Sequence, residues 1–264
     1  MPSRPPFSQS LSIVLPAFNE EDNIEKQVRA CLDFLRGHFA DYEVIVVNDG
    51  SRDRTGEIVD ALAREDGRVR QIVHPTNLGY GRALADGFKA ARCDLVFYTD
   101  SDNQFDVREI KDAIPLIKGP GNPDGADAVF GFRVYRYDSV LRCILSWGYN
   151  RLVRVLFRVK VRDVDCAFKM WTREVNDRLT LWSHDFFVDT EMVAKIRRAG
   201  FRSVEKGVRH YPRTAGTTSV RPGHIPKTLW TVARMWFRIH FGGRGERTAP
   251  APVAAPASEP TGER

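Results

Sequence analysis

Two aspartates, Asp100 and Asp102, are separated by one serine directly after the apolar segment 94–99. A buried strand that ends in two carboxylates two residues apart can direct both at one cation. Mg²⁺ prefers oxygen ligands and usually keeps water and substrate phosphates in its shell. Such a cation would bridge a diphosphate and offset the charge on a departing nucleoside diphosphate. The pair by itself also fits a capped turn, so the surrounding loops decide between the two interpretations.

Asp49 follows a second apolar run, residues 43–47. Its carboxylate can accept a hydrogen bond from the N–H of a nucleobase or from a ribose hydroxyl, and it also fits an Asx turn or a cap. The first strand is not followed by G-x-G-x-x-G, and G-x-x-x-x-G-K-[ST] does not occur. These absences disfavour an NAD enzyme, a kinase and an ATPase.

The elements that would position these carboxylates alternate along the chain. Apolar, strand-like runs occur at residues 11–15, 43–47, 69–73 and 94–99, with helical spacing between them. This alternation predicts an α/β fold, a mostly parallel sheet with helices on both faces. Less regular elements follow: strands at 126–132 and 166–171, and helices at 139–159 and 188–199. Ligands bind at the carboxyl ends of such strands, where four polar loops would meet: 16–20, 48–51, 77–81 and 100–104.

The composition is that of an ordinary globular protein, with 42% hydrophobic and 28% charged residues in 264. The four cysteines are widely spaced, which predicts reduced thiols and a cytoplasmic location. We find no run of ~18 apolar residues that would predict a transmembrane helix, and residues 1–10 lack a signal-peptide core. We expect disorder at 1–10, one catalytic domain at 11–220, an amphipathic segment at 221–243 and a disordered tail at 244–264.

The net charge of +6 is concentrated in two stretches. Residues 133–162 contain eight Lys/Arg and one acid, and residues 197–247 contain twelve and two. An anionic partner would explain them: lipid headgroups, phosphates or nucleic acid. Both the helix at 139–159 and the segment 226–241 mix basic with apolar residues, and the second contains tryptophan. This pattern predicts helices that lie in a bilayer interface; solvated faces, or packing helices with snorkelling arginines, are the alternative.

Several ordered blocks resemble glycosyltransferase family 2, in its dolichyl-phosphate mannose synthase-like, polyprenyl-phosphate branch. They are LPAFNEE, VVNDGSRDRT, NLGYGRALADGF, TDSDNQF, VFGFR, VRDVDCAFKMWTREV, FFVDTEMVAKIRRAGFR and HYPRTAGTTS. The D-x-D-x-Q form of the TDSDNQF block is similar to that branch. The resemblance covers roughly residues 11–220 and implies the GT-A fold, with a C-terminal amphipathic interfacial helix.

The resemblance also assigns roles to residues. Nucleotide binding carries over to Pro16, Ala17, Glu20, Asp49, Asp100 and Ser101. The metal, Mg²⁺ or Mn²⁺, would be held by Asp100 and Asp102, with Gln104 in the same element. Phosphate and acceptor contacts carry over to Arg133, Lys169 and Arg213; the catalytic set would be Asp102, Gln104, Arg133 and Arg213. Phe132 and Lys169 depart from the family pattern, and a lysine lacks the guanidinium fork for a bidentate phosphate contact.

The implied reaction is inverting transfer of a sugar from GDP-mannose or a UDP-sugar to polyprenyl or dolichyl phosphate, by a peripheral enzyme at the inner face of the plasma membrane. A lipid phosphate is already anionic, so positioning and electrostatics would supply the rate. A neutral hydroxyl acceptor would instead require a carboxylate base, for which Asp189 and Glu191 are secondary candidates; a cap on a solvated helix face fits them equally.

Two other functions compete with this one. The first is a family 2 transferase that acts on a saccharide or another lipid acceptor, and the second is a nucleotide-binding scaffold without turnover. Intact Asp49, Asp100 and Asp102 disfavour the scaffold. Nucleic acid is disfavoured because the acidic, small-residue loops do not suit a phosphate backbone. A membrane-protein partner or self-association stays open on the sequence.

Overall fold

The computed structural model describes residues 7–134, 140–212 and 231–238, with the backbone alone for 140–146. Its centre is a seven-stranded sheet in the order β3-β2-β1-β4-β6-β5-β7. The strands are β1 (Leu11–Ala17), β2 (Tyr42–Asn48), β3 (Val69–Val73), β4 (Leu95–Thr99), β5 (Ala128–Arg133), β6 (Phe168–Thr172) and β7 (Ser203–Val208). The predicted α/β class and mostly parallel sheet are confirmed.

The helices cover both faces of this sheet. They are α1 (Ile24–His38), α2 (Thr55–Glu65), α3 (Tyr80–Ala90), α4 (Ile110–Ala113), α5 (Val140–Phe157), α6 (Arg173–Arg178) and α7 (Val188–Arg198). Short 3₁₀ turns at Val107–Glu109 and Ile114–Leu116 flank α4. Every residue of β1 and β2 is buried, as expected for parallel strands covered on both sides. The close packing of α3 depends on Gly87, where a Cβ would lie 2.4 Å from Val14 Cγ1.

The second half of the sheet is mixed. Strand β6 runs antiparallel to both β4 and β5, and β7 pairs in parallel with β5. Strand β7 (SVEKGV) was absent from our sequence prediction because this edge strand is largely polar and its residues are only partly buried. A polar edge strand has no apolar run by which it could be recognised.

The direction of each strand brings many chain segments to one rim. Strands β1, β2 and β4 end there, and β6 begins there, because Phe168 pairs with Thr99. Since β5 runs antiparallel to β6, its last residue, Arg133, reaches the same rim. Polar residues from both halves of the chain can therefore converge at this edge.

The terminal segments contact the domain where the structure describes them. Residues 7–10, which we expected to be disordered, bind it: Phe7 N donates to His38 O over 3.2 Å, and the Ser10 hydroxyl donates to Asp94 over 2.9 Å. Residues 231–238 are helical; Val232 and Met235 are buried, and Trp236 Nε1 donates to Leu156 O over 2.9 Å. The remainder of the predicted interfacial segment and the 244–264 tail lie outside the described residues.

None of the described helices is both long and apolar enough to cross a bilayer.

Candidate active site

The loop after β4 carries the two aspartates and is tied to the loop after β1. The hydroxyl of Ser101 donates to Pro16 O over 2.8 Å, and Asp102 Oδ1 accepts from Gln104 N at 3.1 Å. Burial and, after it, the charge of the neighbouring Asp102 raise the pKa of Asp100 to about 7 against the opposing effect of the Tyr80 hydroxyl. The two carboxylates of the predicted D-x-D pair therefore lie close enough to interact electrostatically.

That pair fits a divalent cation. Among the described residues, no group of three or more His, Cys, Asp or Glu side chains is arranged to bind a metal ion. Two adjacent carboxylates, with water and a substrate diphosphate to complete the shell, match the way Mg²⁺ is usually bound. The backbone N–H of Gln104 binds Asp102, and its side-chain nitrogen donates to Tyr211 O over 3.0 Å.

Asp49, at the end of β2, is buried and accepts three hydrogen bonds. Its Oδ1 binds His74 Nδ1 at 2.7 Å and Leu78 N at 2.8 Å, and its Oδ2 binds Gly79 N at 2.9 Å. An ionised carboxylate has about four acceptor positions, so one position on Oδ2 remains for a nucleobase or ribose donor. The carboxylate thus also fixes the loop that leads into α3.

The loop after β1 is cross-linked to the loop after β2. Asn19 N donates to the Ser51 hydroxyl at 3.0 Å, and Glu20 N donates to the Thr55 hydroxyl at 2.8 Å. The carboxylate of Glu20 accepts from Asn23 Nδ2 at 2.7 Å. The predicted nucleotide residues Pro16, Ala17, Glu20 and Asp49 are therefore brought together. Phe18, which sequence reasoning did not single out, is 43% exposed at this rim.

Arg133 lies at the same rim and is held by Asp163. Its Nε and Nη2 donate to the two carboxylate oxygens of Asp163 over 2.6 and 2.8 Å. This ion pair raises the pKa of Arg133 above its ordinary value despite burial. Both residues line a cavity of about 160 Å³, together with Phe132, Trp147, Asn150, Arg154 and Arg162. Three guanidinium groups and the carboxylate of Asp163 thus line one small cavity.

Lys169 does not match the predicted phosphate contact. Its side chain has no solvent exposure, and its ammonium group donates to Asp189 Oδ1 at 2.5 Å, to Cys166 O at 2.6 Å and to Tyr98 Oη at 2.9 Å. All three ammonium donors are used inside the protein. The predicted direct contact with phosphate is corrected to a buried ion pair. Arg213, the other basic residue assigned to phosphate, lies outside the described residues.

Asp189 and Glu191 are both buried in the first turns of α7, so the solvated helix face that we considered is wrong. Asp189 is paired with Lys169 and also accepts from Tyr98 Oη. Glu191 accepts from Trp182 N and Ser183 N, each at 2.8 Å, and pairs with Lys195. Glu191 therefore holds the loop that precedes α7 in place. Both carboxylates are engaged inside the protein, so neither is available to act as a base.

Sequence reasoning missed three residues at this rim. Tyr80 donates its hydroxyl to Asp100, and Asp163 holds Arg133. The third is Asp165, which interacts electrostatically with Arg133 and Lys169. A signal for the two aspartates was present, because both lie in the VRDVDCAFKMWTREV block that resembles the family. Tyr80 gave no signal, since its contact with Asp100 depends on the tertiary fold.

Comparison with known proteins yields a consistent result. The family model described as "Glycosyl transferase family 2" matches residues 12–180. Glycosyltransferase AglD of Haloferax volcanii is 38% identical over 219 residues, which are 80% of this chain and 34% of that protein. A dolichyl-phosphate beta-glucosyltransferase of Drosophila melanogaster is 31% identical over 186 residues, 65% of this chain and 57% of that protein.

A third relative is an undecaprenyl-phosphate 4-deoxy-4-formamido-L-arabinose transferase of Shewanella sediminis. It is 32% identical over 166 residues, which cover 62% of this chain and 49% of that protein. The chain thus spans about a third to just over half of the length of these three relatives.

Solved structures agree on the fold. Glucosyl-3-phosphoglycerate synthase from Mycobacterium tuberculosis, in complex with Mn²⁺, UDP and phosphoglyceric acid, superposes with a TM-score of 0.60 at 22% identity, covering 88% of this chain and 77% of that one. A mannosyltransferase from Pyrobaculum calidifontis, in complex with GDP-Man and Mn²⁺, gives 0.57 at 18% identity over 80% and 59% of the two chains. At these identities the likeness concerns the fold alone.

Proposed function

The chain belongs to glycosyltransferase family 2 and has the GT-A fold, and on that premise we propose that it transfers a sugar from a nucleoside-diphosphate sugar to a polyprenyl phosphate. One observation carries the proposal: the Asp100–Asp102 loop is bonded to the loop after β1 through Ser101 and Pro16, and the Arg133 pocket lies at the same rim. Carboxylates for a metal-bound diphosphate thus share one edge of the sheet with guanidinium groups for an acceptor phosphate.

The donor side consists of the loops after β1, β2 and β4. The free acceptor position of Asp49 suits an N–H of the base or a ribose hydroxyl, and the exposed ring of Phe18 offers a stacking surface nearby. Asp100 and Asp102 would hold Mg²⁺ or Mn²⁺ together with the diphosphate. The bound cation would offset the charge that appears on the leaving nucleoside diphosphate.

On the acceptor side, Arg133 would orient the lipid phosphate, with Arg154 and Arg162 beside it. A phosphate oxygen is an anion near neutral pH, so it can attack the anomeric carbon without losing a proton to a base. Attack opposite the leaving diphosphate inverts the anomeric configuration. The engagement of Asp189 by Lys169 supports this route, because that carboxylate is not available to a neutral hydroxyl acceptor.

The names of the relatives support the acceptor class, since two of the three reported above are polyprenyl-phosphate or dolichyl-phosphate transferases. The donor sugar and base are tested by incubating the protein with UDP- and GDP-sugars, polyprenyl phosphate and Mg²⁺ or Mn²⁺. We expect a sugar phospholipid whose formation requires the metal and is abolished in Asp102→Ala. Transfer to a saccharide or diacylglycerol, with none to polyprenyl phosphate, would contradict the proposal.

We also propose that the enzyme works as a peripheral protein at the cytoplasmic face of a membrane. One face of α5 supports this: Trp147 and Val155 are 64% and 66% exposed, and Arg151 between them is exposed as well. Phe237, next to Trp236 that binds α5, is 60% exposed. Basic and aromatic residues on one helix face are typical of interfacial helices. The buried Val232 and Met235 mean that the opposite side of the C-terminal helix packs on protein.

The membrane proposal is tested by sedimentation with vesicles that contain anionic lipid. Trp147→Gln together with Val155→Gln should lower the bound fraction severalfold. Val73→Gln is the matched control, because Val73 is 59% exposed on β3, at the far edge of the sheet from α5. Equal sedimentation of the double variant and the control would rule out the α5 face as the contact.

A further inference from the structure

Tyr80, the first residue of α3, places its hydroxyl on a carboxylate of the metal pair. The phenol donates to Asp100 Oδ1 over 2.8 Å. A donor fixed on one oxygen of Asp100 limits which oxygen can face a cation.

The ring of Tyr80 is held from two sides. Phe186 stacks on it, with ring centroids 5.3 Å apart and an interplanar angle of 30°. The helix start is pressed against the loop before α7: Gly81 N donates to His184 O over 3.1 Å, and a Cβ on Gly79 would lie 2.1 Å from that same oxygen. Gly79 also has a φ of +100°, so glycine is required there twice over.

We propose that Tyr80 is a positioning residue for the divalent cation: by occupying Asp100 Oδ1, it turns the carboxylate so that Oδ2 is the oxygen offered to the metal. This rests on the proposed function, in which Asp100 and Asp102 bind the cation. Partners that orient metal ligands typically contribute about 10–100-fold in metal affinity.

The test is the dissociation constant of Mn²⁺, measured from the free-Mn²⁺ signal in electron paramagnetic resonance, with and without UDP or GDP. Tyr80→Phe removes one oxygen atom and keeps the stacked ring. We expect the Mn²⁺ dissociation constant to rise at least about tenfold, with little change in melting temperature. Tyr149→Phe is the matched control. It deletes the hydroxyl of a tyrosine on α5, which lies 2.8 Å from the Thr190 hydroxyl.

A kinetic readout separates positioning from loss of structure. In Tyr80→Phe the Mn²⁺ concentration for half-maximal transfer should rise by the same factor, while kcat at saturating Mn²⁺ stays close to wild type. Phe186→Ala, which retains the hydroxyl and frees the ring, should raise the Mn²⁺ dissociation constant by a smaller factor. Equal Mn²⁺ affinity in wild type and Tyr80→Phe would overturn the inference while leaving the proposed function intact. Absence of Mn²⁺ binding in the wild type would overturn both.

Discussion

The ammonium group of Lys169 lies 2.5 Å from Asp189 Oδ1, and the lysine side chain is fully buried. The pair joins β6 to α7 beneath the rim, and Tyr98 on β4 binds both partners. A buried charge is tolerated only when it is paired and hydrogen-bonded. The position of α7, and with it the loop that carries Phe186, therefore depends on this pair.

Lys169→Met should lower the free energy of unfolding by about 3–5 kcal/mol, because it leaves the Asp189 carboxylate buried without its partner. Urea denaturation measures this loss. The double variant Lys169→Met, Asp189→Leu should lose less than the sum of the two single variants, since neither charge then remains unpaired.

The control for that experiment is Arg29→Met, which breaks an exposed pair with Glu25 and Glu65. Such exposed pairs contribute little to stability, because water and salt screen them. Additive losses in the double variant, or a loss in Lys169→Met no greater than in Arg29→Met, would contradict a strongly coupled buried pair.

Arg133→Lys should raise the KM for polyprenyl phosphate about tenfold and leave the KM for the nucleotide sugar nearly unchanged. Lysine keeps the charge but cannot reproduce the two parallel hydrogen bonds to Asp163, so the cation loses its fixed orientation. Arg178→Lys is the control, because that arginine forms an exposed pair with Glu174 on α6. If only the KM for the nucleotide sugar changed, Arg133 would contact the donor and not the acceptor phosphate, which would contradict the prediction.

His74→Gln should weaken the binding of UDP or GDP about fivefold to tenfold, as measured by calorimetry. The two ring nitrogens of His74 lie 2.7 Å from Asp49 Oδ1 and 3.1 Å from Asp86 Oδ2. Both ring nitrogens of His74 thus face carboxylate oxygens. Glutamine has one donor group and turns an oxygen toward one of the carboxylates.

The matched change is His38→Gln on α1, where the ring binds Phe34 O at 2.7 Å and is remote from the rim. Its nucleotide affinity should equal that of the wild type. If His74→Gln binds nucleotide as tightly as His38→Gln, then His74 does not support the nucleoside function of Asp49.

Asp165→Asn should stabilise the protein more at pH 8 than at pH 5. Burial and, after it, the charges of Asp189 and Asp163 raise the pKa of Asp165 from its ordinary 3.8 to about 7. Between these values the folded state keeps a proton that the unfolded chain has released, so the free energy of unfolding falls as pH rises toward 7. Asparagine removes this dependence.

Relative to wild type, the free energy of unfolding of the variant should rise by on the order of 1 kcal/mol between pH 5 and pH 8. This is well below the full value of the pKa shift, because Asp165 keeps some solvent contact. Asp33→Asn, at an exposed position on α1, should show no such gain. A stability difference between Asp165→Asn and wild type that stays constant with pH would contradict the raised pKa.

The sequence was sufficient for the first half of the fold. Buried parallel strands such as β1 and β2 are continuous apolar runs, and a parallel sheet brings the ends of its strands together, so Asp49 and Asp100 could be assigned to one rim. Strand β7 could not be predicted, because its alternation of polar residues has no apolar signature. The antiparallel direction of β6 could not be predicted either, because it depends on the path of the chain between α5 and α6.

Lys169 illustrates why part of the site could not be predicted. The family resemblance assigned Lys169 to phosphate, although lysine is almost never fully buried unless paired. Its partner Asp189 is twenty residues away and was considered either a base or a cap on a solvated helix face. Each residue was misread because the other was not known to be close, and local spacing contains no information on that contact.

The central claim is that Asp100 and Asp102 jointly hold a divalent cation against the diphosphate of a nucleotide. Anomalous diffraction from crystals grown with Mn²⁺ and UDP or GDP measures this directly. The account predicts one manganese peak between the two carboxylates and the diphosphate, with the nucleoside beside Asp49. A manganese peak or nucleotide elsewhere, with both carboxylates facing solvent, would contradict it.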